Sequence, residues 1–209
     1  DGIADGSRIM VHGFGIAGVP EALLGALLER GTTGLTIIAN GAGRPDSAMQ
    51  KLFAAGRIAK LIASSGRGRS VEPSPFEAGW KAGQVEFEIV PQGIFVERMR
   101  CAGAGLGGFY SPVGVGTKLA LGKEVRHIDG QDYVLEMPLT ADVALLHAER
   151  GDRWGNLSYR YAERNFGPAM ATAAALVVAE VAKIVELGDI APMDAHTPGV
   201  FVDRLVEVT

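Results

Sequence analysis

Short apolar runs of strand length alternate with segments of helical period along this chain, and that alternation admits few folds. Residues 7–11, 35–39, 58–63 and 143–147 are such runs, and 184–187 is a further one. Between the first two, Leu23, Leu24, Leu27 and Leu28 form one apolar helix face after Pro20, with Gly31 placed to end it. Residues 47–55 and 170–181 also read as helices, the second of them buried. Strands alternating with helices imply an α/β fold, a mainly parallel sheet flanked by helices on both faces. A chain of 209 residues is long enough for one such domain and short for two. No repeat or low-complexity tract divides it, so the expectation is a single domain over 1–209.

Smaller signals fill the intervals. Residues 66–75 are rich in Gly, Arg, Ser and Pro and read as an exposed loop. Val85, Phe87 and Ile89 alternate with polar residues, the pattern of a half-buried strand. Pro91-Gln92-Gly93 would end that strand, with a short helix over 95–101 and a glycine-rich stretch over 103–117. Residues 128–131 look like a turn into a strand at 132–136.

Several function classes fall away. A net charge of −4 with no block of like charge gives no footprint for nucleic acid. No apolar run approaches the roughly 20 residues that cross a bilayer; the most apolar stretch, 169–181, is too short. The single cysteine, Cys101, excludes an internal disulfide and a cysteine-based zinc site, and fits a reducing cytoplasm. It reads as a small buried helix residue. The histidines at 12, 127, 147 and 196 lack metal-ligand spacing, so no metal is expected, and His147 in its apolar strand reads as a core histidine. No signal peptide is visible, although the numbering opens at Asp1-Gly2 without methionine and upstream residues are expected.

Glycine carries the first functional hint. The 29 glycines cluster at 13–18, 41–43, 66–68, 103–108 and 114–116, where backbone must turn tightly or approach something closely. The strand–loop–helix unit over 9–28 has Gly13, Gly15 and Gly18 in a G-x-G-x-x-G-like rhythm. Such a loop offers N–H groups and a helix amino end to phosphate. It serves equally as a turn for tight helix–sheet packing. No acidic residue ends the next strand to hold a ribose, which argues against NAD. The stretch 103–109 would admit a ligand, admit a facing chain, or form a compact surface loop.

Several segments together resemble the alpha subunit of family I coenzyme A transferases. Asp5-Gly6-Ser7-Arg8-Ile9-Met10-Val11-His12-Gly13-Phe14-Gly15-Ile16-Ala17-Gly18-Val19-Pro20 is similar to the family's amino-terminal signature. Val90-Pro91-Gln92-Gly93, Glu97-Arg98-Met99-Arg100, Gly103-Ala104-Gly105 and the run from Phe109 to Thr117 resemble its central one. Tyr133-Val134-Leu135-Glu136, Gly155-Asn156-Leu157, Arg164-Asn165-Phe166 and Thr197-Pro198-Gly199 follow in family order, so the likeness spans nearly the whole chain. Two departures stand out: His12 occupies a position where the family has glycine, and residues 43–76 match poorly. Glu136-Met137-Pro138-Leu139 and the segment from Gly151 to Leu157 are most similar to the members acting on β-ketoadipate (3-oxoadipate). Acetoacetate-specific members are the close alternative.

The resemblance implies a CoA-transferase-like fold and a ping-pong transfer of CoA from succinyl-CoA to a 3-oxoacid. A glutamate carboxylate carries the group through an anhydride and a glutamyl-CoA thioester. In the family that glutamate lies in a Ser-Glu-Asn-Gly motif of the beta chain, a motif absent from this sequence. A beta partner is therefore implied, in an α2β2 assembly, with CoA and acyl-CoA as substrates and no permanently bound cofactor. By similarity, Gln92 supports the oxyanion, and the loop His12, Gly13, Phe14, Gly15, Ile16, Ala17 and Gly18 faces CoA. Glu97 and Glu136 read as structural or site-supporting. Two other classes stand beside this one: a stand-alone enzyme such as a sugar-phosphate isomerase, and a non-catalytic CoA- or metabolite-binding homologue.

Overall fold

Side chains that alternate between two apolar surfaces decide where each strand goes. In the computed structural model, which describes residues 2–67 and 71–208, Ile9 and Val11 point to one face of a sheet and Met10 to the other. Ile37 and Ile38 divide in the same way, as do Leu61 and Ile62. A sheet buried on both sides needs helices on both sides.

The elements run β1 (Arg8–Val11), α1 (Glu21–Arg30), β2 (Leu35–Ala39), α2 (Ala48–Ala54), β3 (Ile58–Ala63), α3 (Pro75–Lys81), β4 (Glu86–Ile89) and α4 (Gln92–Gly103). There follow β5 (Phe109–Ser111), β6 (Val125–Ile128), β7 (Gln131–Glu136), β8 (Ala141–Asp152), β9 (Leu157–Ser158), α5 (Gly167–Ala173), β10 (Ala174–Val185) and β11 (Arg204–Glu207). The main sheet has the order β11-β10-β8-β1-β2-β3-β4 with every neighbour parallel, and β9 joins β8 antiparallel. One face packs Leu24, Leu27, Leu52 and Phe76 from α1, α2 and α3, and the other packs Phe95, Met99 and Met170 from α4 and α5. β5, β7 and β6 form a separate antiparallel sheet. The β6–β7 turn places Asp129 and Gly130 at positive φ, the geometry of a tight hairpin.

Local chemistry sets the helix ends. Gly31 caps α1 at φ 77°, a left-handed conformation that glycine adopts without strain. Ser47 Oγ accepts the Gln50 N–H to start α2. Ser74 and Glu77 form a reciprocal capping box at α3, with Pro75 at the first helical position.

Several expectations change. The buried helix over 170–181 ends at Ala173, and the chain continues as β10 through Val185, absorbing the separate strand expected at 184–187. Alanine-rich sequence favours helix locally. However, Val177, Val178, Val181 and Val185 fit a strand held between β8 and β11, and that pairing overrides propensity. The helix expected over 95–101 extends to Gln92–Gly103, with Pro91 as its N-cap residue accepting the Phe95 N–H at 2.8 Å. The strand expected over 143–147 is twelve residues long. Val85 is buried and Phe87 packs on the core, yet Ile89 is 52% exposed at the end of edge strand β4. Within the expected loop at 66–75, the described residues are largely exposed, Pro75 opens α3, and positions 68–70 lie outside the described residues.

Candidate active site

Parallel strands bring their carboxyl ends to one edge, where ligands of open α/β sheets bind. Here β1, β2, β3 and β4 deliver His12–Gly18, Asn40–Gly43, Ser64–Arg67 and Gln92 to that edge. A cleft of about 610 Å³ opens there. Its lining includes Gly13, Gly15 and Ile16 after β1, Asn40 to Arg44 after β2, and Ser65 to Arg67 after β3. The poorly matched region 43–76 thus supplies α2, β3 and a wall of the cleft. Gln50 braces that wall, its Nε2 donating to Ala42 O at 2.8 Å and its Oε1 accepting from Phe76 N at 3.2 Å.

The glycine loop is a closed turn. Phe14 and Ala17 exchange backbone hydrogen bonds of 3.0 and 3.1 Å, leaving Gly15 and Ile16 at the tip. Gly13 has φ 130°, and a Cβ there would lie 2.6 Å from Val19 Cγ2, so no other residue fits. The tip projects the side chains of Phe14 and Ile16, the latter 73% exposed. Asn165 Nδ2 ties the loop's far side down by donating to Ala17 O at 3.1 Å.

His12 does not put its ring into the cleft as a cation. The ring is buried edge-on against Tyr159, with centroids 5.6 Å apart, and Nδ1 lies 3.2 Å from His147 O and 3.3 Å from His147 N. Space for it comes from glycine elsewhere. A Cβ on Gly18 or Gly167 would stand 3.0 Å from His12 Cε1. Burial pushes the His12 pKa from 6.5 down to about 4, so the imidazole is neutral near pH 7.

The amino end of α1 is also occupied. Glu180, buried on β10, accepts the Leu23 N–H through Oε2 at 2.9 Å and His147 Nδ1 through Oε1 at 3.0 Å. Glu21 Oε2 likewise accepts the Ala48 N–H at the start of α2. A protein carboxylate, Glu180, therefore meets the α1 amino end that the sequence pattern offered to phosphate. The dipole-driven phosphate cradle is replaced by a capped, packed turn.

The two histidines give opposite pH dependences. His12 has a folded pKa below its unfolded one, so the unfolded chain takes up the proton first. Stability is lost as pH falls from 6.5 toward 4, by about 3 kcal/mol in all. The Glu180 hydrogen bond raises the pKa of His147, so its contribution is present below 6.5 and is lost as pH rises through the raised value. Denaturation followed from pH 4 to 8 is expected to show greatest stability near pH 6.5 from this pair. In His12→Gln the acid limb is expected to lose about one proton of slope; an unaltered limb would contradict the assignment.

Gln92 sits in the first turn of α4 with its side chain exposed, and Nε2 donates to Asn40 Oδ1 at 3.3 Å. The hydroxyl of Ser64 lies 2.9 Å from both Asn40 Oδ1 and Asn40 O. Asn40 thus joins Gln92 to the cleft it lines, and the glycine loop and Gln92 share one edge. Sequence reasoning misses Asn40 and Ser64, whose only local signal is their place just after β2 and β3.

The remaining motifs lie elsewhere. Glu136 is buried and holds Lys123 at 2.6 Å, and exposed Glu97 pairs with Arg100 one helical turn on. His147 is half-buried against Glu180, and Cys101 is buried with Sγ 3.4 Å from Leu106 O. The stretch 103–117 lines no part of the cleft. Asp152, Asn156 and Gly199 form one bonded turn. A Cβ on Gly199 would lie 2.0 Å from Trp154 O. Among the described residues no helix is long and apolar enough to cross a membrane.

A closed glycine turn and a carboxamide pair thus stand together at the carboxyl ends of parallel strands. The chain belongs to the coenzyme A transferase family, which it matches over residues 1–208. It is 51% identical, over 100% of its length and 90% of the relative's, to the A subunit of 3-oxoadipate CoA-transferase from Pseudomonas putida. It is 48% identical to the A subunit of succinyl-CoA:3-ketoacid coenzyme A transferase from Xanthomonas campestris pv. campestris, over 98% of this chain and 83% of that one. Its fold is shared with glutaconate coenzyme A-transferase of Acidaminococcus fermentans, at TM-score 0.84 and 20% identity over 99% of this chain and 72% of that one. The naming of these relatives as one lettered subunit of their enzymes implies a second, companion chain.

Proposed function

We propose that this chain is the alpha subunit of a CoA transferase moving CoA from succinyl-CoA to 3-oxoadipate, as one domain over 1–209 in a cytoplasmic α2β2 assembly. The observation that carries it is 51% identity along the full chain to the 3-oxoadipate CoA-transferase relative in Pseudomonas putida. The single-domain assignment is supported by β11 joining the sheet that β1 begins.

In this mechanism a glutamate carboxylate on the beta partner attacks the thioester carbonyl. The C–S bond breaks, a mixed anhydride forms and CoA leaves as thiolate. The thiolate then attacks the glutamyl carbonyl, releases succinate and leaves glutamyl-CoA, and the second half-reaction runs these steps in reverse onto the 3-oxoacid. No further cofactor enters. Each addition places negative charge on a carbonyl oxygen, and a preorganised amide donor lowers that cost. The exposed amide of Gln92 beside Asn40 is suited to be that donor, and residues 12–18 to contact CoA through backbone and the Phe14–Ile16 tip.

The acceptor is tested by steady-state transfer to 3-oxoadipate and to acetoacetate. A kcat/KM at least tenfold higher for 3-oxoadipate is expected, and the reverse order would move the chain to the second reading. That reading, an acetoacetate enzyme, draws on the 48% identity to the Xanthomonas relative.

We place the beta partner against the 103–117 stretch and the β5–β7–β6 sheet. Leu106, Val113, Leu121 and Val125 are exposed there, Leu121 by 76%. A Cβ on Gly107 meets nothing within 4 Å, so Gly107→Arg tests the surface without disturbing this chain's fold. The variant is expected to elute apart from the beta partner in size-exclusion chromatography; undisturbed co-elution would exclude this face.

A further inference from the structure

Gln92 is exposed in the first turn of α4 and no side-chain capping bond holds it, so an amide left alone there would rotate freely. Rotation matters because the two ends of a carboxamide are opposite in character. Nitrogen donates to a developing oxyanion, and oxygen repels it. The structure contains a chain of groups that removes the ambiguity. Ser64 has one hydroxyl proton and spends it on Asn40, with Oδ1 and the backbone O both 2.9 Å from Oγ. With that proton on Oδ1, the Asn40 amide keeps its oxygen, and not its nitrogen, toward the end of β3. Gln92 can then meet Asn40 only with an N–H, as the 3.3 Å contact from Nε2 to Oδ1 records. One Nε2 proton is spent on Asn40 and the other is held in a fixed direction.

We propose that Ser64 is a positioning residue for CoA transfer, acting through Asn40 to hold the Gln92 amide with an N–H toward the reacting thioester oxygen. The assignment rests on the oxyanion role given to Gln92 above and extends it to a residue on another strand, 28 positions earlier in the chain. Ser64 itself touches no substrate. Its effect is on how often the donor points the right way, which belongs to kcat and leaves the binding of succinyl-CoA alone.

The test is a double-mutant cycle in the complex with the beta partner, reading kcat and KM for Ser64→Ala, Gln92→Ala and the double variant, with Ser64→Thr as the hydroxyl-retaining control. Ser64→Ala is expected to lower kcat roughly tenfold, a fraction of the 10²–10³ that a whole oxyanion donor is worth, with KM for succinyl-CoA unchanged. Ser64→Thr is expected to recover most of the loss. In the Gln92→Ala background, Ser64→Ala is expected to cost nothing more, since the group it orients is gone. A tenfold loss that persists in that background would mean a general structural role and overturn the proposal, as would full kcat in Ser64→Ala. If Gln92→Ala alone keeps full kcat, the catalytic assignment of Gln92 fails first and the positioning role falls with it.

Discussion

Replacing Gln92 by alanine in the assembled enzyme is expected to lower kcat by about 10²-fold, the order lost when one preorganised oxyanion donor is removed. The substitution is clean. Gln92 is exposed, its side chain caps no helix, and its side-chain amide bonds to Asn40. Folding stability should change by no more than about 0.5 kcal/mol, as for other surface substitutions, and association with the beta partner should be intact. Stopped-flow transfer from succinyl-CoA separates the first half-reaction from product release, and the loss is expected in the acyl-transfer step. Unchanged kcat with intact assembly would remove Gln92 from the chemistry and leave its amide as an edge contact to Asn40.

The largest expected effect on stability is at Glu180. Its buried carboxylate satisfies the Leu23 N–H of α1 and His147 of β8 together, so it ties the helix after the glycine loop to the centre of the sheet. Glu180→Ala leaves a helix amino end and a histidine without their acceptor and opens a void between β10 and α1. A cost of about 3–5 kcal/mol is expected, as when one member of a buried pair is removed. Glu180→Gln keeps an acceptor for Leu23 and should cost less, while abolishing the alkaline loss of stability that follows from the raised His147 pKa. Urea denaturation at pH 6.5 measures both costs, and repeating it up to pH 8 follows the alkaline limb. A Glu180→Ala variant within about 1 kcal/mol of the parent, a margin near that of ordinary surface substitutions, would mean that water replaces the carboxylate without penalty.

Much of this fold is legible in the sequence because its strands obey local rules. The apolar runs leading to His12, Asn40 and Ser64 are short, bounded and separated by helices with ordinary caps. The main failure has one cause, tertiary pairing that local composition cannot report. Ala174 to Val185 carries enough alanine to read as helix, and becomes a strand because β8 and β11 flank it. The capping box Ser74-Pro75-Phe76-Glu77 marks α3, but it lies at the edge of a polar loop whose composition masks it.

The site divides in the same way. The glycine loop and Gln92 stand out as motifs, and their common edge follows from parallel strands. The neutral, buried state of His12 has no local signal, because Gly18, Gly167 and Tyr159, which shape its cavity, are up to 155 positions away. The same holds for Glu180, which caps α1 from 157 positions downstream.

The central claim is that this chain holds half of a shared CoA-transfer site and that the nucleophile is on its partner. The direct measurement is succinyl-CoA:3-oxoadipate transfer by the purified chain, alone and after mixing with a beta partner carrying Ser-Glu-Asn-Gly. Transfer only in the mixture is the predicted result. Transfer by this chain alone would contradict it, and would place the nucleophile among its own carboxylates.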